Sequence, residues 1–157
     1  MKLRNQLSHA FIAAVCLVAI TSSIFARTDD AQKRLTENRR KWTEKAIKNY
    51  QYEFQRICFC PPAVTKQVKL TVRDGGVENV QQADTGEAVD KSKYELYLTV
   101  EALFDYIQAA IDKKAYAVNV VYDAELGYPT SVDVDYIQYA VDDEIRFRTG
   151  KLVVEKQ

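Results

Sequence analysis

Val68, Leu70 and Val72 alternate with Lys69, Thr71 and Arg73, and the next three residues are Asp74, Gly75 and Gly76. A strand turns successive side chains to opposite faces, so this period of two buries one face and wets the other. Asp-Gly suits the left-handed backbone of a tight hairpin turn, which returns the chain through Val77 and Val80. The stretch is thereby committed to an antiparallel hairpin, and a hairpin with one apolar face needs a layer to cover it.

Further runs obey the same period. Tyr50, Tyr52 and Phe54 alternate with Gln51, Glu53 and Gln55 and lead to Cys58, beyond which Pro61 and Pro62 stop the ladder. Tyr116, Val118, Val120 and Tyr122 form another run, followed by a turn at Leu126, Gly127, Tyr128 and Pro129. Val132, Val134 and Tyr136 then alternate with Ser131, Asp133 and Asp135. A last strand region runs from about Glu144 through Ile145 and Phe147, past a kink at Gly150, to Leu152 and Val154. The covering layer is legible as well. Behind an N-cap at Thr99, Val100, Leu103, Phe104, Ile107, Ala110 and Ile111 recur at helical spacing. Residues 29–48 are charged, with an acidic cap near Asp29 or Asp30 and a thin stripe of Leu35, Trp42, Ala46 and Ile47. Residues 81–98 are polar and weakly patterned and read as a loop. The expected fold is α+β: an antiparallel sheet of five or six strands with two helices on one face. Its order, α-β-β-β-α-β-β-β, reads as a duplicated α-β-β-β unit with meander pairing.

The first residues carry Lys2 and Arg4, then an apolar stretch from Ala10 to Ile20, then Thr21, Ser22 and Ser23. This is the layout of a secretory signal, with cleavage expected after Ala26; residues 27–157 are then a single α+β domain. Two other readings are an uncleaved inner-membrane anchor through residues 10–26 and lipid attachment at Cys16. Trimming leaves 131 of 157 residues and removes two bases and no acid, so that 22 bases against 22 acids become a formal charge of −2. Such a balance offers no basic footprint for nucleic acid. The sole histidine, His9, would leave with the leader. That removes the base for Ser-His-Asp or Cys-His chemistry and the usual zinc ligands. No glycine-rich phosphate loop is present, and no cofactor is expected.

Three constellations remain. Cys58 and Cys60 are the two cysteines of the expected mature chain and sit in a compartment that permits disulfides. Residues two apart on an ideal strand approach the long limit for a bridge, so closure demands a bend, which the adjacent prolines favour. The alternatives are a redox-active or metal-binding dithiol, with Arg56 close enough to favour a thiolate, free thiols, or bridges between chains. Asp133 and Asp135 share a strand face, with Asp123, Asp142, Asp143 and Glu144 nearby in sequence. They read as a solvated acidic face, or alternatively as oxygen ligands for calcium. Tyr122, Asp123, Gly127, Tyr128 and Pro129 form a structured turn that could serve as a binding loop presenting Tyr128.

Two stretches, Asn49 to Tyr52 leading to Cys58, Phe59, Cys60, Pro61 and Pro62, and Tyr122-Asp123 through Gly127, Tyr128, Pro129 and Thr130 to Asp142, Asp143 and Glu144, together resemble an exported bacterial family of unknown function. The resemblance implies an envelope or secreted protein and carries over no catalytic residues. The helix and three-strand layout is more loosely similar to small envelope modules and to protease or lactamase inhibitor domains that act by binding. The functional expectation is an exported, periplasmic or secreted, non-catalytic module that binds a protein or envelope component, as a monomer or weak oligomer with no membrane insertion after cleavage. The alternatives are a thiol redox protein using Cys58 and Cys60, or a calcium-binding envelope domain.

Overall fold

A computed structural model describes residues 29–140 and 143–155; the expected signal segment, Cys16 and Asp142 lie outside the described residues. Helix α1 occupies residues 29–44. It is followed by β1 (Tyr50–Ile57), a one-turn α2 (Pro62–Thr65), β2 (Val68–Arg73) and β3 (Gly76–Gln82). A 3₁₀ helix (Lys91–Leu96), α3 (Val100–Asp112), β4 (Ala117–Tyr122), β5 (Pro129–Asp135), β6 (Ile145–Thr149) and β7 (Val153–Val154) complete the chain. No helix of the described residues is long and apolar enough to cross a membrane.

The hairpin forms as its residues dictate. Asp74 and Gly75 both take positive φ, 47° and 78°, which is the twist that lets two strands return without splaying. Val68, Leu70 and Val72 pair with Gln82, Val80 and Val77 across the turn. Alternation also holds in β1, where Tyr50, Tyr52 and Phe54 are buried and lie opposite Val72, Leu70 and Val68. The second meander places Val120 opposite Val132 and Val132 opposite Phe147. All these inward side chains join one core with Leu35 and Trp42 of α1 and Leu103, Phe104 and Ile107 of α3. Both helices therefore cover the same face, as expected, and the opposite face carries Gln51, Glu53, Gln55, Lys69, Thr71, Ser131, Asp133 and Arg146.

The sheet order is β3-β2-β1-β6-β5-β4, with β7 beside β1, so the two meanders are joined through their first and last strands. β1 pairs antiparallel with β6 at Phe54–Ile57 and with β7 at Tyr50–Gln51. The final run is thus one strand broken at Gly150, so the path holds six strands, or seven when β7 is counted apart. Glycine is suited to the position by its close approach to β1. Gly150 N donates to Glu53 O at 2.8 Å, and a Cβ on Gly150 would lie 3.0 Å from Glu53 Cβ.

The antiparallel ladder also bears on duplication. β1 and β4 lead their units in opposite directions, which requires the second unit to be flipped over, yet α1 and α3 lie on one face. No rigid rotation maps one unit onto the other, so the two share an order of elements and not an arrangement.

Two boundaries move. α1 stops at residue 44, where Lys45 N and Ala46 N bond to Trp42 O and Thr43 O. Ala46 there takes φ 50° and is exposed rather than part of the buried stripe. The expected loop at 81–98 is largely ordered. Gln82 N donates to Glu87 O and Val89 N to Val80 O, which covers the free edge of β3. The 3₁₀ helix then brings Tyr97 into the core against Phe54, ring centroids 6.3 Å apart. At the other edge, Arg34 of α1 donates to Val120 O (2.7 Å) and so occupies the outward side of β4.

Candidate functional site

β1 runs directly into Cys58, Phe59 and Cys60, and a disulfide joins the two cysteines, whose Cα atoms are 5.2 Å apart. The required bend is a tight turn in which Cys60 N donates to Cys58 O at 2.8 Å. Pro62 then opens α2, where its missing N–H is no loss. With its two neighbours tied together, Phe59 is left at the apex, 86% exposed. Leaving such a ring in water forgoes about 1.5–3 kcal/mol of burial, a cost that exposed apolar patches at interaction sites commonly bear.

The same end of the sheet carries further apolar side chains. Ile57 pairs with Arg146 near the start of β6, and the segment joining β5 to β6 leaves the end of β5 at that same end of the sheet, two strand spacings of ~4.8 Å from β1. On that segment Ile137 is 61% and Tyr139 91% exposed. Tyr139 holds φ at 70°, an uncommon conformation for a bulky residue and one that clusters at binding sites. Gln138 Nε2 donates to the hydroxyl of half-exposed Tyr116 (2.7 Å), which ties this segment to the start of β4. Ile57, Phe59, Tyr116, Ile137 and Tyr139 thus stand at one end of the sheet, an apolar rim spread over the ends of β1, β5 and β4.

Removing the bridge tests its role. The closed ring holds only three residues, so the loop-closure entropy it removes from the unfolded chain is worth about 1–2 kcal/mol. A Cys58→Ser/Cys60→Ser protein is expected to lose that much in urea denaturation with β1 and its pairing intact. A loss above about 4 kcal/mol would show the bridge to hold more than its apex.

Beneath the rim lies Arg56, which register places on the core face opposite Phe147. Its guanidinium sits 5.5 Å above the Phe147 ring and donates from Nη2 to Leu96 O (2.8 Å). The phenols of Tyr97 and Tyr106 are its ionisable neighbours among the described residues, and the Tyr136 hydroxyl donates to that of Tyr106 at 3.3 Å. The side chain is turned toward Leu96 and Phe147.

The other candidates are placed differently. Asp123 Oδ1 accepts from Glu125 N (3.0 Å) and Leu126 N (2.7 Å), and Gly127 takes φ 82°, making the turn a rigid structure. Tyr128 points inward, only 4% exposed, with its ring 6.3 Å from Trp42. Its hydroxyl donates to Gly150 O and accepts from Leu152 N, so it clamps the break between β6 and β7. Pro129 starts β5 and is buried, and half-buried Tyr122 stacks on Phe104. A turn whose aromatic rings are consumed by the core has none to present, which corrects the expectation of a loop displaying Tyr128.

Asp133 and Asp135 do share the open face of β5. Asp133 Oδ1 lies 2.8 Å from Arg148 and 3.8 Å from Arg146, and Asp135 Oδ1 accepts from Ile137 N. Arginines hold the position a cation would take. Among the described residues no group of three or more acidic, cysteine or histidine side chains is placed to hold a metal ion.

An open groove of about 500 Å³ along α1 is lined by Leu35, Thr36, Arg39, Arg40, Thr43, Glu44 and Gln108. Its charges are already paired, Arg39 with Asp105 and Arg40 with Glu44. Phe59, Ile137 and Tyr139 were not distinguished by the sequence patterning. The available signal was an aromatic residue locked between two cysteines and followed by two prolines, where no ladder can bury it.

An antiparallel sheet with helices on one face and a disulfide-bound aromatic apex at one end defines a two-layer α+β domain whose most distinctive surface is that rim. The chain belongs to a family of unknown function (DUF6174), which it matches over residues 34–154. No curated protein and no solved structure matches it.

Proposed function

We propose that the protein is an exported, non-catalytic binding module whose contact surface is the rim around Phe59 and Tyr139. The observation that carries this reading is Phe59, held 86% exposed by a disulfide between its own neighbours. An aromatic anchor fixed in place loses little conformational freedom on binding, and anchors of this kind dominate interface energies. Export is supported by the signal-like residues 1–26 and by a bridge of a type that persists in oxidising compartments. The non-catalytic reading draws on the chemistry at hand. Burial pushes Tyr122 up to about 12 and holds Tyr50, Tyr52 and Tyr106 well above the ordinary tyrosine value, so they remain protonated at neutral pH and serve as packing groups.

The test compares the wild-type domain with Phe59→Ala and Tyr139→Ala in capture from an envelope extract, with the affinity for any isolated partner then measured. Phe59→Ala is expected to weaken binding about 30-fold, the equivalent of a 2 kcal/mol hot spot, while the melting temperature moves by less than about 2 °C. Equal capture by both variants would remove the rim as the contact surface. Turnover of a dithiol substrate that disappears with Cys58→Ser would favour the redox alternative instead.

A further inference from the structure

Arg56 is an anomaly in an otherwise apolar corner. A guanidinium stays ionised at neutral pH, and taking it out of water is costly unless an anion or a full set of acceptors replaces the lost hydration. Here Nη2 has the Leu96 carbonyl, whereas Nε is buried with no acceptor among the described residues. None of the ion pairs among the described residues involves Arg56. Its surroundings are the Phe147 face and the phenols of Tyr97 and Tyr106, which supply stacking and no negative charge. Burial accordingly pulls its pKa down from the ordinary arginine value. The residue is still only partly covered, and it lies three positions from Phe59 at the same end of the sheet.

We infer that Arg56 is the carboxylate-binding element of the rim, so that the partner is a protein segment presenting an acidic group, an Asp or Glu side chain or a chain terminus, beside an apolar side chain. This rests on the rim being the contact surface. The fit is one of charge and shape together. A planar guanidinium takes a carboxylate through parallel N–H bonds, which is the geometry that would employ the idle Nε. The apolar neighbour of that carboxylate would meet Phe59, three positions along the chain, and contact with it would exclude water and strengthen the ion pair.

The probe is phenylacetate, an aromatic carboxylate, set against phenylacetamide, which has the same shape and no charge. In NMR titrations of the isotope-labelled protein, phenylacetate is expected to move the Arg56 Nε–H and Phe147 amide signals saturably in the millimolar range, with phenylacetamide at least ten-fold weaker and Arg56→Gln unresponsive. The two ligands are compared on the wild-type protein, so the result does not depend on the variant folding. No response, or an equal response to both ligands, overturns the inference. A phenylacetate response that appears only in Asp142→Asn also overturns it, because the anion is then supplied by the chain itself. In either case capture that still depends on Phe59 leaves the rim standing and removes only the acidic partner.

Discussion

Replacing Trp42 with alanine is expected to lower the unfolding free energy by about 3–5 kcal/mol and the melting temperature by on the order of 10 °C or more. The indole is the largest link between α1 and the rest of the core. It is buried, meets Tyr50 edge-on with ring centroids 5.5 Å apart and Tyr128 at 6.3 Å, and donates from Nε1 to Glu101 Oε1 of α3 at 2.8 Å. The same carboxylate accepts from the Tyr50 hydroxyl (3.2 Å), which in turn accepts from Val100 N, so one residue couples α1, β1 and the start of α3. Truncation removes the ring's burial and leaves a cavity between three elements. Trp42→Phe separates the contributions: it keeps most of the burial and loses the Nε1 bond, at about 1 kcal/mol. Trp42 is the sole tryptophan, so its fluorescence reports α1 docking directly in the wild-type protein. An alanine variant melting within about 2 °C of wild type would mean that α1 does not hold the layer together.

Gly127→Ala is expected to cost about 2–5 kcal/mol, for two reasons that can be separated. Gly127 takes φ 82°, where a Cβ costs about 1–2 kcal/mol on any L residue. That Cβ would also lie 2.7 Å from the Asn38 carbonyl of α1 and 3.1 Å from Lys41 Cβ, and relieving the overlap requires moving a helix backbone, typically another 1–3 kcal/mol. Gly86→Ala is the control. Its φ is 73° and nothing lies within 4 Å of the added Cβ, so it should show the conformational cost alone. The difference between the two in chemical denaturation measures how closely α1 is seated on the turn. If both cost the same, that close approach does not exist in solution.

The contrast between these glycines also shows which features local patterning could reveal. Asp74-Gly75, Gly86 and Gly127 look alike in sequence as turn residues, and local chemistry requires only that they be turns. That Gly127 is a helix contact depends on Asn38, some ninety positions earlier, reaching the same place. Tyr128 follows the same logic. Its place after Gly127 and before Pro129 marked the turn correctly, but whether its ring faced solvent or core was decided by the cavity among Trp42, Gly150 and Leu152. Residues 81–98 carry no local pattern because their partners are scattered: β3 for Ala88 and Val89, and Phe54 for Tyr97. For the rim, the bridge between Cys58 and Cys60 was readable from spacing and flanking prolines. The placing of Phe59, Ile137 and Tyr139 at the same end of the sheet, and the turning of Arg56 onto Phe147, were not.

The chain's own order of residues determined the elements, the buried side of each strand, the helical layer and the α+β class, because side-chain period and turn chemistry act over a few neighbouring positions. Tertiary structure alone decided that β1 and β6 would meet in the middle of the sheet and that the two units would share an order of elements without sharing an arrangement. Pairing partners some ninety residues apart are chosen by fit across the whole core, and local periodicity carries no record of that choice. The proposed site lies at the join between the two meanders, where Ile57 faces Arg146 and Arg56 faces Phe147.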